Sequence, residues 1–158
     1  MINLINDLLD IEKLEAGQME MKLKNIPLWP VIEQSVDAVS HFASSHGVTI
    51  DAQPCAQAVY GDHDRLIQVV VNLLSNAVKF SPQGASVFVS FDEHDSFVTV
   101  NVKDAGRGVP DQYKALIFER FKQVKSEDAT EKKGTGLGLP ICKMIVESHG
   151  GTIGVESK

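Results

Sequence analysis

A chain of 158 residues, 43% hydrophobic and 23% charged, has the composition of one ordinary folded domain with a short appendage. A net charge of −6 argues against a general nucleic-acid surface, and no apolar run reaches the roughly 18 residues of a membrane span. Cys55 and Cys142 are far apart and lack CxxC or Cys/His spacing, so a disulfide framework or a zinc site is not expected.

Residues 1–16 predict a helix: Leu4, Leu8 and Ile11 form a stripe that Ile5 and Leu9 widen, and Gly17 stops it. Residues 20–26 alternate weakly, as an edge strand does. Residues 28–45 predict a second helix with Pro30 in its first turn and Val31, Ile32, Val36, Val39 and Phe42 buried. Short strands follow at 48–52 and 58–60. Asp62 caps a long third helix that ends at Ser81-Pro82-Gln83-Gly84. Val87, Val89 and Phe91, then Val98, Val100 and Val102, predict a β-hairpin with a polar turn near 93–96. A helix is expected near Pro110. Residues 122–133 are charge-rich and aperiodic, which predicts a mobile loop whose near end Phe118 and Phe121 anchor in apolar surface. The last helix starts around 136–140 and carries Leu139, Cys142, Ile145 and Val146; a strand is expected at 152–156. Hairpin strands and helices in this alternation suggest a two-layer α/β sandwich with the helices on one face.

The third helix carries the most chemistry. Leu66, Val69, Val70, Leu73, Leu74 and Ala77 recur at the spacing of a buried face. Arg65, Asn72, Asn76 and Lys79 form a second stripe, and at about 100° per residue it lies beside the core, where a cleft wall would be. A solvated face is the plain alternative. Two short amides and a lysine on one side suit a metal and phosphates better: Asn76 offers a neutral carbonyl to Mg²⁺, and Lys79 a point charge to phosphate.

Asp104 shares the parity of Val98, Val100 and Val102, so strand alternation aims its carboxylate coreward. It is either a ligand acceptor or the opening of a surface turn. Gly134-Thr135-Gly136-Leu137-Gly138 leads into a helix, where free N–H groups face an anion, or else hinges the preceding loop. A dinucleotide fingerprint GxGxxG and a P-loop GxxxxGK[ST] are both missing.

Four blocks in order, Asn72–Phe80, Asp104-Ala105-Gly106-Arg107-Gly108, Phe118-Glu119-Arg120-Phe121 and Gly134-Thr135-Gly136-Leu137-Gly138-Leu139, resemble the ATP-binding catalytic domain of sensor histidine kinases. That group is related to the gyrase-type and chaperone ATPases. The resemblance runs through nearly the whole chain. It implies a Bergerat-type fold, a mixed sheet packed on three helices, spanning 18–158 and lacking the family's final strand. Residues 1–17 then resemble the C-terminal end of the dimerisation hairpin helix.

The resemblance further implies ATP and Mg²⁺ as cofactors. Asp104 accepts from the adenine amino group, with Gly106 and Gly108 turning the backbone against the base. Asn76 holds the metal, and Lys79 with Gly134, Thr135, Gly136, Leu137 and Gly138 holds phosphates. Asn72, Lys79 and Arg120 are the catalytic candidates, with Arg120 either reaching phosphate or pairing with a nearby carboxylate. The family often has an arginine just after the second phenylalanine, where this chain has Lys122-Gln123, so the cation that assists the γ-phosphate stays open.

None of the five histidines has the family's acceptor context, so the acceptor is expected on a hairpin preceding Met1. The implied partners are that hairpin and a response regulator receiver domain, without nucleic acid. The full-length protein would be a homodimer and this chain a monomer in the cytoplasm, with any membrane anchor elsewhere. A nucleotide-sensing module without transfer is the alternative. A gyrase- or chaperone-type ATPase fits less well, because its base position is Asn72, an amide that takes no proton near neutral pH.

Overall fold

The computed structural model describes residues 2–124 and 134–158. Two compact units divide the chain: Lys22–Arg107, and Met1–Met21 together with Gly108–Lys158.

In the unit Lys22–Arg107, two helices pack on a three-stranded mixed sheet, and a separate two-stranded sheet completes the unit. Strand β1 (Lys24–Pro27) pairs antiparallel with β3 (Ala58–Gly61), placing Ile26 opposite Val59. Strand β2 (Thr49–Ala52) runs parallel to β4 (Ser86–Glu93), which pairs antiparallel with β5 (Val98–Lys103), in the order β2-β4-β5. Val89 faces Val102 and Phe91 faces Val100, as the alternating pattern requires. Val87 and Val89 are fully buried whereas Phe88 between them is 48% exposed, so only one face of the sheet is covered.

Helices α2 (Leu28–Ser45) and α3 (His63–Phe80) pack together and supply that cover. Val31, Ile32 and Val39 of α2 and Val70, Leu74 and Val78 of α3 join Val87 and Val89 in one core. At about 25 cal/mol per Å² of apolar surface, such burial is the main force holding this unit.

The other unit contains α1 (Ile2–Glu15) and α4 (Gly138–Ser148), which touch one another. Its buried apolar side chains among the described residues are Ile11, Leu137, Pro140, Ile141, Cys142 and Ile145. Neither cysteine forms a disulfide.

Four expectations change here. Phe42 of α2, expected among its buried residues, is 37% exposed. The helix near Pro110 is replaced by two 3₁₀ turns, Asp111–Tyr113 and Leu116–Phe118, closed by Tyr113 N–H to Pro110 O at 2.8 Å and Glu119 N–H to Leu116 O at 3.0 Å. So short a run cannot repay the nucleation of an α-helix. Residues 152–156 form no strand: Ile153 and Val155 keep the alternation of half-buried side chains, but no ladder partner lies among the described residues. Phe121 is 63% exposed at φ 57°, so it anchors nothing in apolar surface, while Phe118 is half-buried. The expected loop at 122–133 lies outside the described residues from 125 onward.

Candidate functional site

Helix α3 is fixed at its start by Asp62. One carboxylate oxygen accepts Arg65 N–H at 3.1 Å, and the other accepts Lys22 N–H at 2.9 Å. Burial raises this carboxyl, but backbone N–H donors from Lys22, Arg65 and Asp64 outweigh it and hold the pKa below the usual aspartate value. With its first turn clamped and Leu74 and Val78 completely buried, the helix holds its remaining faces in fixed directions.

Asn72, Asn76 and Lys79 lie half-buried along one of those faces, beside the fully sequestered stripe. Among the described residues, neither asparagine side chain makes a hydrogen bond. A half-buried primary amide with free donor and acceptor capacity is primed for a polar ligand. Arg65, the first member of the stripe, bonds Gln68 Oε1 at 2.9 Å.

Phe80 ends α3 and meets the loop that follows β5. A Cβ on Gly106 would stand 2.9 Å from Phe80 O and 2.8 Å from Asp104 Oδ1, so only glycine lets the two backbones approach this closely. Asp104 lies one residue beyond the end of β5, is exposed, and accepts Gly106 N–H at 2.7 Å. The coreward orientation expected from strand parity is therefore not observed, because the strand stops at Lys103 and parity stops with it. The turn reading holds, and the second carboxylate oxygen keeps its acceptor capacity. Asn76, Lys79, Asp104 and Gly106 thus come from two segments joined at Phe80.

The other unit places Gly108, Arg120 and residues 134–138. Beyond Gly108, Val109 N–H donates to Ser157 Oγ at 2.9 Å. Arg120 is ion-paired with Glu15 of α1. Phe121 N–H donates to Gly136 O at 3.0 Å, and Gln123 Nε2 donates to Gly134 O. Gly136 sits at φ 71°, and a Cβ there would lie 2.9 Å from Phe121 Cα, so glycine is required twice over.

The first turn of α4 has little internal capping. Thr135 Oγ1 takes Leu137 N–H at 3.3 Å, Ile141 N–H reaches Leu137 O at 3.0 Å, and Pro140 has no N–H. Among the described residues, the N–H groups of Gly138 and Leu139 meet no acceptor. Open amides at a helix start form an anion site.

The described residues contain no cluster of three His, Cys, Asp or Glu side chains able to hold a metal by themselves. Four of the histidines make local contacts: His46 Nδ1 with Phe42 O, His149 Nδ1 with Ile145 O, His63 with Asp64 and Gln34, and His94 stacked on Phe97. Sequence reasoning passed over one pair, Phe80 and Arg107. The guanidinium lies 5.7 Å from the ring centroid. An arginine between the two glycines of a ligand loop was the available signal.

The family described as "Histidine kinase-, DNA gyrase B-, and HSP90-like ATPase" matches residues 61–158. The mycobacterial sensor histidine kinase MprB superposes with a TM-score of 0.75 at 32% identity, covering 85% of each chain. The chain belongs to this family, as an ATP-binding catalytic domain of the sensor histidine kinase type.

Two further likenesses extend over almost the whole domain. Sensor protein SrrB of Staphylococcus aureus is 32% identical over 98% of this chain and 27% of its own length. Full-length ShkA, solved in complex with AMPPNP, superposes with a TM-score of 0.84 at 31% identity, covering 99% of this chain and 32% of ShkA. The chain spans 19 to 27% of the length of the curated relatives it matches. The histidine-kinase ATP-binding domain thus has the mixed α/β Bergerat-type fold. No helix among the described residues is long and apolar enough to cross a membrane.

Proposed function

We propose that this domain binds Mg-ATP and donates the γ-phosphate to a histidine on a dimerisation hairpin, as the kinase part of a two-component signalling protein. The observation that carries this reading is the half-buried face of α3, where Asn72, Asn76 and Lys79 stand together with both amides unengaged.

Asp104 selects adenine by accepting from its exocyclic amino group, while Gly106 holds the loop against Phe80. Asn76 is the metal ligand. A hard cation that keeps several waters and binds phosphate oxygens needs few protein donors, so a single amide oxygen is enough to hold Mg²⁺ on the nucleotide. When bound, the metal neutralises charge on the phosphates. Lys79 is the point charge for the phosphates, and the open amides of Gly138 and Leu139, with the Gly134–Gly136 backbone, cradle them. Asn72 and Arg120 are assigned to the transfer step, Arg120 after leaving Glu15. Such a step depends on alignment and charge neutralisation more than on covalent chemistry.

Residues 1–17 are proposed as the end of the hairpin helix, and 18–158 as the catalytic domain. The partners are the hairpin and a response regulator receiver domain, without nucleic acid. The parent protein is proposed to be a homodimer, this chain a monomer, and its location cytoplasmic.

Titration of the chain with ATP, with and without Mg²⁺, tests the site. Asp104→Ala should lose measurable binding while circular dichroism is unchanged. Chain, γ-labelled ATP and a purified hairpin of the same protein should then give acid-labile label on the hairpin and none on the chain. ATP binding with no label on a docked hairpin would favour a nucleotide-sensing module instead.

A further inference from the structure

Two cations share the ring of Phe80. Lys79 Nζ lies 5.3 Å from its centroid and the Arg107 guanidinium carbon 5.7 Å. The face of an aromatic ring attracts a cation without neutralising its charge.

Arg107 reaches this position through backbone geometry. Gly106 touches the backbone of Phe80, and Asp104 ties Gly106 N–H at 2.7 Å, so the next side chain starts beside the end of α3. Arg107 is exposed, and among the described residues no carboxylate forms an ion pair with it. Its charge is available to a ligand. Arginine's planar fork of donors is also the side chain best matched to phosphate oxygens.

We propose that Arg107 is a second phosphate-binding cation, positioned by Phe80 to act beside Lys79 on the polyphosphate of the nucleotide. The inference rests on the nucleotide site proposed above and adds a residue to it. It also gives a candidate for the γ-phosphate cation that Lys122-Gln123 leaves open.

The test compares adenosine, AMP, ADP and ATP on the intact chain and on Arg107→Ala, Arg107→Lys and Phe80→Leu, at low and moderate salt. Arg107→Ala should weaken ATP about tenfold, ADP less, and adenosine not at all, as expected for one charge-assisted contact. Arg107→Lys should recover part of the loss, because it keeps charge without the fork. The salt dependence of ATP binding should become shallower in Arg107→Ala. Phe80→Leu should produce part of the same loss, and the double variant should fall short of the sum.

Equal losses for adenosine and ATP would overturn the proposal in favour of a base-stacking or purely structural role. So would an Arg107→Lys variant no better than Arg107→Ala, or an unchanged salt dependence. If the unaltered chain binds ATP while Arg107→Ala binds it equally well, only this inference fails. If the unaltered chain binds no nucleotide, the parent reading falls and takes this one with it.

Discussion

Helices α3 and α4 start in opposite ways. At α3 the Asp62 carboxylate fills the first turn, taking Arg65 N–H on one oxygen and Lys22 N–H on the other. At α4 the N-terminal flanking residue is Leu137, which has no side-chain acceptor and is buried, and the amides of Gly138 and Leu139 meet no acceptor among the described residues. Every helix start presents unpaired N–H groups. Spending them on a carboxylate stabilises the fold and repels anions. Leaving them open lowers local stability and creates an anion site. The comparison teaches where stability is given up, and the place coincides with the glycine-rich block assigned to phosphates.

The sharpest way to break that comparison is to close the open helix. Gly138 is not among the glycines with left-handed backbone, so an L-residue is conformationally acceptable there. Gly138→Asp places a carboxylate in the first turn of α4. It should weaken ATP binding on the order of a hundredfold, because like charges at a contact cost several kcal/mol. It should also leave thermal stability unchanged or raise it by about 0.3–1 kcal/mol through the helix dipole. Titration calorimetry and a melting curve on the same sample give both signs. Loss of stability together with loss of binding would mean that the substitution damaged the helix, and the open-turn reading would lack support.

The converse change opens the closed helix. Asp62→Ala should cost about 1–2 kcal/mol of stability, the range for a lost cap, toward the upper end because Lys22 N–H loses its acceptor too. ATP affinity should not change beyond what the fraction unfolded explains. A tenfold loss of affinity in a fully folded Asp62→Ala sample would show that the two helix starts are not separate in function.

How far each helix start could be read in advance follows from what fixes it. Asp62 was legible as a cap because capping is local, requiring one acceptor just before an amphipathic run. Strands β4 and β5 were equally legible, because Val87, Val89, Val98, Val100 and Val102 alternate over a buried face. Asp104 was misdirected, because strand parity says nothing about where a strand ends. The segment 152–156 kept its alternation but not its pairing, since a ladder depends on a distant partner. Arg107 escaped notice for a tertiary reason. Its meeting with Phe80 depends on Gly106 touching a carbonyl twenty-six residues earlier in sequence, which no local pattern encodes. The glycine at 136 was expected as part of a phosphate loop or hinge, while its close packing on Phe121 is seen only in the folded chain.

The smallest expected effect is also the most specific to the closed helix. Burial raises the Asp62 carboxyl, the N–H donors of Lys22, Arg65 and Asp64 lower it further, and the net folded pKa lies below the unfolded value near ~3.9. A depressed folded pKa means that the unfolded chain takes up the proton first. The contribution is therefore complete above about pH 4 and is lost as pH falls from there through the folded pKa. Protonation removes the charge yet leaves a carbonyl acceptor, so the loss should be smaller than in Asp62→Ala. Many carboxylates titrate in this range, and the difference between the unaltered chain and Asp62→Asn isolates this one. Urea unfolding at stepwise pH should give a difference that is flat above about pH 4 and shrinks below it. No such dependence is expected from the flanking residue of α4, because Leu137 has no titrating side chain. A difference that stays constant down to the lowest pH at which the chain folds would show that Asp62 acts as a neutral hydrogen-bond acceptor rather than as a charge.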